Sequence, residues 1–588
     1  TVEGTTGRTS THASRWLATL AVSAFCTPFV LADDLFVPGD FATIQEAIAA
    51  AENGDNVIVS PGTYAEAIDF LGKAIDVRST DGAETTIIDA DGTGLPTVTF
   101  FTGEGLDSVL DGFTITGGTG REDIFGSING AGIYVEDASP TLRNLIVRDN
   151  DTGFGNGGGM YLDNSFGVVE DSTFSGNASF GGGGAYVLEG APTLENLLFI
   201  NNTGGNNGGG LTTAISNATV LNCRFETNSD VDFGGGMYVN GGSPVIDGAL
   251  FYRNDASSGG GFFARNFSGQ LLNSRSIENT ARTGGGIYIA SGSDNSVVAN
   301  TIIAGNEDSI WGGAAVFNGA SPLFYGNVLI GNSTGIYSSF GSFPFIANSI
   351  IIGNDTKFGS GAELYGDGIP FLEYSIIDEL YRFSGDGVLL GVDPLFVDKN
   401  GPDGILGTID DDYRLQAGSP AIDAGSNDLW LEDLLVDFDG SDRFVDDPNT
   451  PDTGVGTGGI IDIGPFEFQP QGGQQLIINV DKMRGGEFST FSVENGEPNG
   501  QVMIAWGTRE GETKRSIGGW CVDFGFEIPA NDFQSRLIAM GRFDNAGTFV
   551  TTVRVPERAT GAELMFQAAQ GGTCPEPAMS NMMEMVVE

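Results

Sequence analysis

The chain has 588 residues, 92 of them glycine, and sets 26 basic against 77 acidic residues for a formal charge of −51, with 40% apolar residues. That apolar fraction excludes a disordered acidic chain, and the glycines lack the three-residue period of collagen. The charge argues against nucleic-acid binding, which needs clustered Lys and Arg, and the length alone allows roughly two to four domains.

Residues 1–32 read as a secretory signal. Arg8 and Arg15 precede an apolar run from Trp16 to Leu31, and Val30-Leu31-Ala32 ends it with small residues at −1 and −3 before Asp33-Asp34. Cys26 follows Phe25 rather than a small residue, which argues against lipid attachment. Removing this segment takes with it the only histidine, His12, and so Ser-His-Asp catalysis, Cys-His catalysis and His-ligated zinc. No other stretch is apolar for long enough to span a bilayer.

Next comes Phe41–Glu66, where Ile44, Ala47, Ile48 and Ala51 fall on one face of a short helix. The chain then turns at Gly54-Asp55 into a strand, Val57-Ile58-Val59. A helix here would cover the open end of a stack of strands.

From Gly130 onward the glycines acquire a period. GAGIY at Gly130 returns as GGGMY at Gly157, GGGAY at Gly182, GGGLT at Gly208, GGGMY at Gly234, GGGFF at Gly259 and GGGIY at Gly284. Degraded copies follow at Gly312, Thr334 and Ser360, most spacings being about 25 to 27 residues. A column of asparagines keeps step: Asn150, Asn177, Asn202, Asn228, Asn254, Asn279, Asn306, Asn332 and Asn354. A third column sits about six residues earlier, at Asn144, Asp171, Asn196, Asn222, Asp247, Asn273, Asn300 and Asn348. Between the columns, residues alternate in the period-two pattern of strands, so each repeat predicts one coil of a parallel β solenoid rising ~4.8 Å per turn. Asparagine suits a left-handed corner and can bond the asparagine of the next coil. Cys223, one residue after a column asparagine, reads as a small core side chain.

TIQEAI and GDNVIVSPGTYAE near the start, with the GGGxY coils, resemble secreted right-handed parallel β-helix proteins of the pectin lyase-like superfamily. GSPAIDAG at 418–425 and DIGPFEF at 462–468 are similar to the closing segment of bacterial β-helix repeat surface proteins. The expected organisation is all-β: a signal over 1–32, a right-handed parallel β-helix over 33–397 with its short capping helix, an acidic closing segment over 398–468, and a linker over 469–475. Residues 476–588, whose strands alternate without the glycine period, are expected to form a small β-sandwich. Cys521 and Cys574 lie there and are expected to form a disulfide in an exported protein. The superfamily includes lyases, hydrolases, epimerases and adhesins without activity, so the resemblance specifies a scaffold.

For the chemistry, the polygalacturonase-like pattern of Asp, His and an Arg-Ile-Lys stretch does not carry over, and the coil arginines form no lyase motif. No catalytic set is assigned; Glu136 and Asp163, which share a column one coil apart, are the candidates, either as close carboxylates that shift each other's pKa or share a cation, or as a solvated acidic edge. Arg224 and Arg275, two coils apart, could grip a sugar acid or form surface ion pairs. Tyr134, Tyr161, Tyr186, Tyr238, Phe263, Tyr288 and Tyr337 occupy one outward column, broken by Thr212, which would serve as a platform for sugar rings or a partner, or as cross-strand pairs. Asp398, Asn400, Asp403, Asp410 and Asp412 lie on a glycine-bearing loop suited to calcium, and Asp437, Asp439 and Asp442 offer a weaker set.

Three functions fit. The first is an exported surface or matrix protein without catalysis, binding polysaccharide or extracellular proteins through its sheet face. The second is a polysaccharide lyase, hydrolase or epimerase, and the third a self-associating fibre subunit.

Overall fold

In the computed structural model of the chain, the described residues are 32–469, apart from 125, 355–362, 369, 380–384 and 432–433, together with 477–480, 488–494, 501–507, 510–517, 520–526, 537–542, 548–555, 563–570 and 583–586. The expected signal, but for Ala32, and Cys574 lie outside them, as does the side chain of Cys521, so the disulfide expectation does too.

The coil beginning at Gly182 shows how the repeat folds. A strand at Ala185–Leu188 is followed by one at Thr193–Glu195, a corner at Asn196, and a strand at Leu198–Ile200. The chain then passes Asn202 and a loop strand at Thr203–Asn207 before the next glycines. Stacking such coils gives three long parallel sheets. One has 14 strands, from Asp34–Val37 to Phe371–Glu373; a second has 14, from Gly62–Tyr64 to Leu389–Leu390; the third has 12, from Ile68–Asp69 to Leu364–Gly366. Hydrogen-bonded neighbours are successive coils: Tyr161 pairs with Tyr134 on one side and Tyr186 on the other. A six-stranded sheet between Ala178–Gly181 and Glu307–Trp311 lines the loop before the glycines.

The glycine triplets are there for two reasons. Gly182 turns the corner at φ +66°, a left-handed conformation. At Gly183 and Gly184 a Cβ would lie 2.5 Å from a carbonyl oxygen of the neighbouring coil, so no larger residue fits.

The two polar columns have distinct jobs. Asn144, Asp171, Asn196, Asn222, Asn273, Asn300 and Asn348 take φ between +46° and +56° and turn the corner between two strands. The other column is buried and forms a ladder. In Asn202 both the backbone nitrogen and Nδ2 donate to Asn228 Oδ1 at 3.0 Å, while Nδ2 also donates to the Phe174 carbonyl at 2.8 Å. The ladder opens where Gly118 N donates to Asn150 Oδ1, and it closes where Asn354 donates twice to the Glu363 carboxylate, at 3.2 and 2.6 Å. Beside it Phe174, Phe199, Phe225 and Phe251 stack at 5.0 Å in the core. Cys223 is a free, buried thiol, and burial pushes its pKa up to about 12.

The helix runs over Ile44–Ala50 and buries Ile44, Ala47 and Ile48. Thr43 Oγ1 accepts from Glu46 N, and the Glu66 carboxylate accepts from Ile44 N and Gln45 N at 2.9 Å. Lys73 Nζ closes the other end by donating to the carbonyls of Ile48, Ala49 and Ala51. Opposite charges thus sit at opposite ends of the helix dipole.

Residues 392–468 fold back along the outside of the last coils. Phe396, Tyr413, Leu415, Ile422, Ile463 and Phe466 cover Ile302, Val328, Ile350 and Ile376, and Trp430 and Ile461 cover Val297, Ala299 and Tyr325. This explains why strands such as Val328–Ile330 and Ile350–Ile352 are buried at every position, whereas Leu198–Ile200 alternates. Farther on, antiparallel strands form sheets of three, four and two strands, and Ile478, Phe491, Val493, Ile504 and Phe566 share one apolar cluster.

Candidate functional site

The outward aromatic column forms, but it is not an open platform. Tyr134, Tyr161, Tyr238 and Phe263 keep only 2–6% of their surface, while Tyr186, Tyr288 and Tyr337 are half-buried. The rings lie on one another: 5.7 Å from Tyr134 to Tyr161, 5.8 Å from Tyr161 to Tyr186, and 4.8 Å from Phe263 to Tyr288. The loop strands then fold over them. Phe233 meets Tyr238 and Phe263, Trp311 stacks on Tyr337 at 5.1 Å, and Arg121 and Arg265 lie over Tyr134 and Tyr238. The sequence places these rings on the outward side correctly, but alternation gives no sign that the strand ahead of each glycine triplet bends back across them.

What this face offers is the rim of the column. Glu136 and Asp163 are half-buried and paired in register on adjacent coils. Tyr134 Oη donates to Glu136 Oε2 at 2.8 Å, and Tyr161 Oη donates to Asp163 Oδ2 at 3.4 Å. Burial, and next the charge of Glu136, raises the Asp163 pKa above the ordinary carboxylate value. Burial also raises both tyrosine pKa values, so the phenols stay protonated and act as donors. The result is a rim of paired carboxylates and hydroxyls able to bond a hydroxyl-rich ligand.

The two arginines are engaged. Arg224 Nε donates to Glu226 at 2.8 Å. Arg275 lies 5.0 Å from the ring of Phe438 in the closing segment, near Asp439 and Asp412, and burial lowers its pKa.

In the acidic segment, two of the five expected calcium ligands come together. Asp403 and Asp410 converge with Asp411, their carboxylate oxygens within 4.8 Å of one another. Asp411 Oδ2 accepts from Gly407 N, Thr408 N and Tyr413 Oη, and Thr408 Oγ1 donates to Asp410. Asp412 is drawn away into an ion pair with Arg414 at 2.6 Å, Asp398 does not join the cluster, and Asn400 is exposed. Of the weaker set, Asp437 is buried and accepts from Asp439 N, Ser441 N and Glu467 N, with burial pushing its pKa up to about 6. Asp439 and Asp442 do not join it in a cluster among the described residues.

A polar knot that the sequence did not expose lies beneath. Arg443 is wholly buried, donates to the carbonyls of Asp462 and Gly464, sits 3.7 Å from Glu467, and faces Trp430 at 4.5 Å. Asp462 accepts from Asp423 N and Phe468 N, and its own nitrogen donates to Glu467. Burial drives both carboxyl pKa values upward. The knot joins GSPAIDAG, DFDGSDR and DIGPFEF, segments whose contacts depend on the fold-back. A second acidic group, Asp423, Asp446 and Asp452, adjoins it.

Comparison with known proteins returns the scaffold. The family described as right handed beta helix region matches residues 108–262 and 246–380. No curated protein sequence matches the chain. Among solved structures, a pectin methylesterase in complex with a hexasaccharide aligns at 10% identity and TM-score 0.20, over 59% of this chain and 89% of that one. A full-length tailspike protein of Escherichia coli O157:H7 bacteriophage CAB120 aligns at 11% identity and TM-score 0.25, over 92% of this chain and 65% of that one. At these scores neither structure informs the reading of this chain's site. Among the described residues no helix is long and apolar enough to cross a membrane. The stacked parallel coils and the family match agree on the fold: the coils form a right-handed parallel β-helix, and residues 108–380 are similar to the right handed beta helix region family.

Proposed function

We propose that the protein is an exported surface or matrix β-helix that binds polysaccharide, or an extracellular partner protein, without catalysing a reaction. The observation that carries this reading is the rim of the aromatic column. Glu136 and Asp163 stand side by side with phenol hydroxyls directed at them, so the face offers hydrogen bonds while its ring faces are taken up by one another. Calcium bound by Asp403 and Asp410 in the acidic loop belongs to this reading, as a brace on the closing segment.

Affinity electrophoresis through gels carrying neutral or acidic polysaccharides tests the site. The wild type is retarded by one of them, and Glu136→Gln with Asp163→Asn removes the retardation. Equal retardation of the double variant would refute the assignment of the rim.

One observation favours an enzyme instead: the raised Asp163 pKa beside Glu136 is what a general acid needs. New reducing ends or unsaturated products that vanish in Asp163→Asn would establish that reading over ours.

A further inference from the structure

Asp423 lies in the middle of GSPAIDAG with no exposed surface. Its backbone is fully used. The nitrogen donates to Asp462 Oδ1 at 2.8 Å, and the carbonyl accepts from Thr453 N at 2.9 Å and Gly454 N at 3.0 Å. Its carboxylate is not. Oδ2 takes only a long bond from Asp447 N at 3.3 Å, and Oδ1 is buried without a hydrogen-bond partner. An unbonded, buried carboxylate oxygen is among the costliest groups a fold can carry, and it calls for a positive partner.

The side chains grouped with it are carboxylates. Asp446 and Asp452, both exposed, each bring a carboxylate oxygen to within 4.8 Å of the one offered by Asp423. Asp447, which could have competed, spends its carboxylate on Asn449 N and Thr450 Oγ1 within its own turn. The cation of the adjoining knot, Arg443, donates through Nη2 to the carbonyls of Asp462 and Gly464 and lies 3.7 Å from Glu467, its Nε and Nη1 being buried without a hydrogen-bond partner; it forms no hydrogen bond or ion pair with Asp423. Three carboxylates therefore converge from two segments already tied by backbone bonds, with one buried oxygen left over.

We propose that Asp423, Asp446 and Asp452 hold a calcium ion. Hard oxygen ligands, a cluster of three carboxylates and an acidic chain select calcium over softer metals. The exposed Asp446 and Asp452 leave the outer coordination positions to water. Bound there, the ion clamps the 446–454 loop onto 418–425, next to the knot that fastens the closing segment to the coils. This site is separate from Asp403 and Asp410, and the two can be told apart.

The test uses the full chain freed of metal with chelator and titrated with calcium chloride, read by calorimetry and by limited proteolysis of 442–454. Both variants change exposed residues and keep the knot intact: Asp446→Asn with Asp452→Asn for this site, and Asp403→Asn with Asp410→Asn for the other. The expected result is calcium-dependent protection of 442–454 in the wild type and in the Asp403/Asp410 variant. In the Asp446/Asp452 variant that protection should require about tenfold more calcium or be lost, as removal of two charged ligands dictates. Protection that calcium does not alter in the wild type, or that persists unchanged in the Asp446/Asp452 variant, would overturn the proposal.

Discussion

Asn228→Ala removes one rung of the asparagine ladder, and the structure sets the size of the loss. Asn228 Oδ1 accepts from the Asn202 backbone nitrogen and from Asn202 Nδ2 at 3.0 Å, and Asn228 Nδ2 donates to the Phe199 carbonyl at 2.9 Å. Alanine leaves those groups without their partner in a site closed to water. At about 1–3 kcal/mol for each buried group left unpaired, and with some relaxation, the cost is about 3–6 kcal/mol. Asn56→Ala is the control: Asn56 bonds Asp34 one coil away at 2.8 Å, on the outside, and its loss costs under about 1 kcal/mol. Urea unfolding reads the global change, and hydrogen exchange at the Asn202 amide reads the local opening, since a solenoid can loosen coil by coil. The ladder would be shown to contribute nothing beyond surface bonding if the two variants shifted stability and exchange equally.

Two further perturbations follow from the same geometry. Asp230 accepts from Asp232 N and Phe233 N, its Oδ2 is buried unbonded, and burial pushes its pKa up to about 7. A raised carboxylate contributes stability that is present below its unfolded pKa and lost as pH climbs through the folded one. Asp230→Asn should therefore gain on the wild type between about pH 4 and 8, by at most about 4 kcal/mol, in paired melts across pH; a constant difference would contradict this. At Gly305 a Cβ would fall 2.1 Å from the Gly407 carbonyl, whereas at Gly404 it meets open space, though both take positive φ. Gly305→Ala should lift the 403–411 loop and speed chymotryptic cleavage after Leu406, while Gly404→Ala leaves the rate nearly unchanged; equal rates would mean that the loop does not dock there.

Much of the scaffold was legible because it repeats. A left-handed corner wants Asn at 144, 196 and 222 for a reason visible in one coil, and the ladder wants it at 150, 177 and 202 for a reason visible in two. The helix at Ile44–Ala50 was equally local. What escaped was set by contacts between distant segments. The fold-back of 392–468 left a trace, the loss of alternation in strands such as Val297–Ala299, Val328–Ile330 and Ile350–Ile352, because they are covered on both faces. The burial of the tyrosine column left none, since it depends on where the loop strands bend. Spacing along one loop brought out the neighbouring carboxylates Asp403 and Asp410, but Asp423 and Asp452 lie far apart in sequence within the closing segment, and only the fold brings them together.

A polysaccharide panel incubated with the wild-type protein in calcium, scored in the same wells for retention and for release of reducing ends or unsaturated products, separates binding at the rim from catalysis there. The expected result is retention by at least one polysaccharide with no product formed from any. Turnover of a panel member, or retention by none of them and by no extracellular partner protein included alongside, would overturn the proposed function.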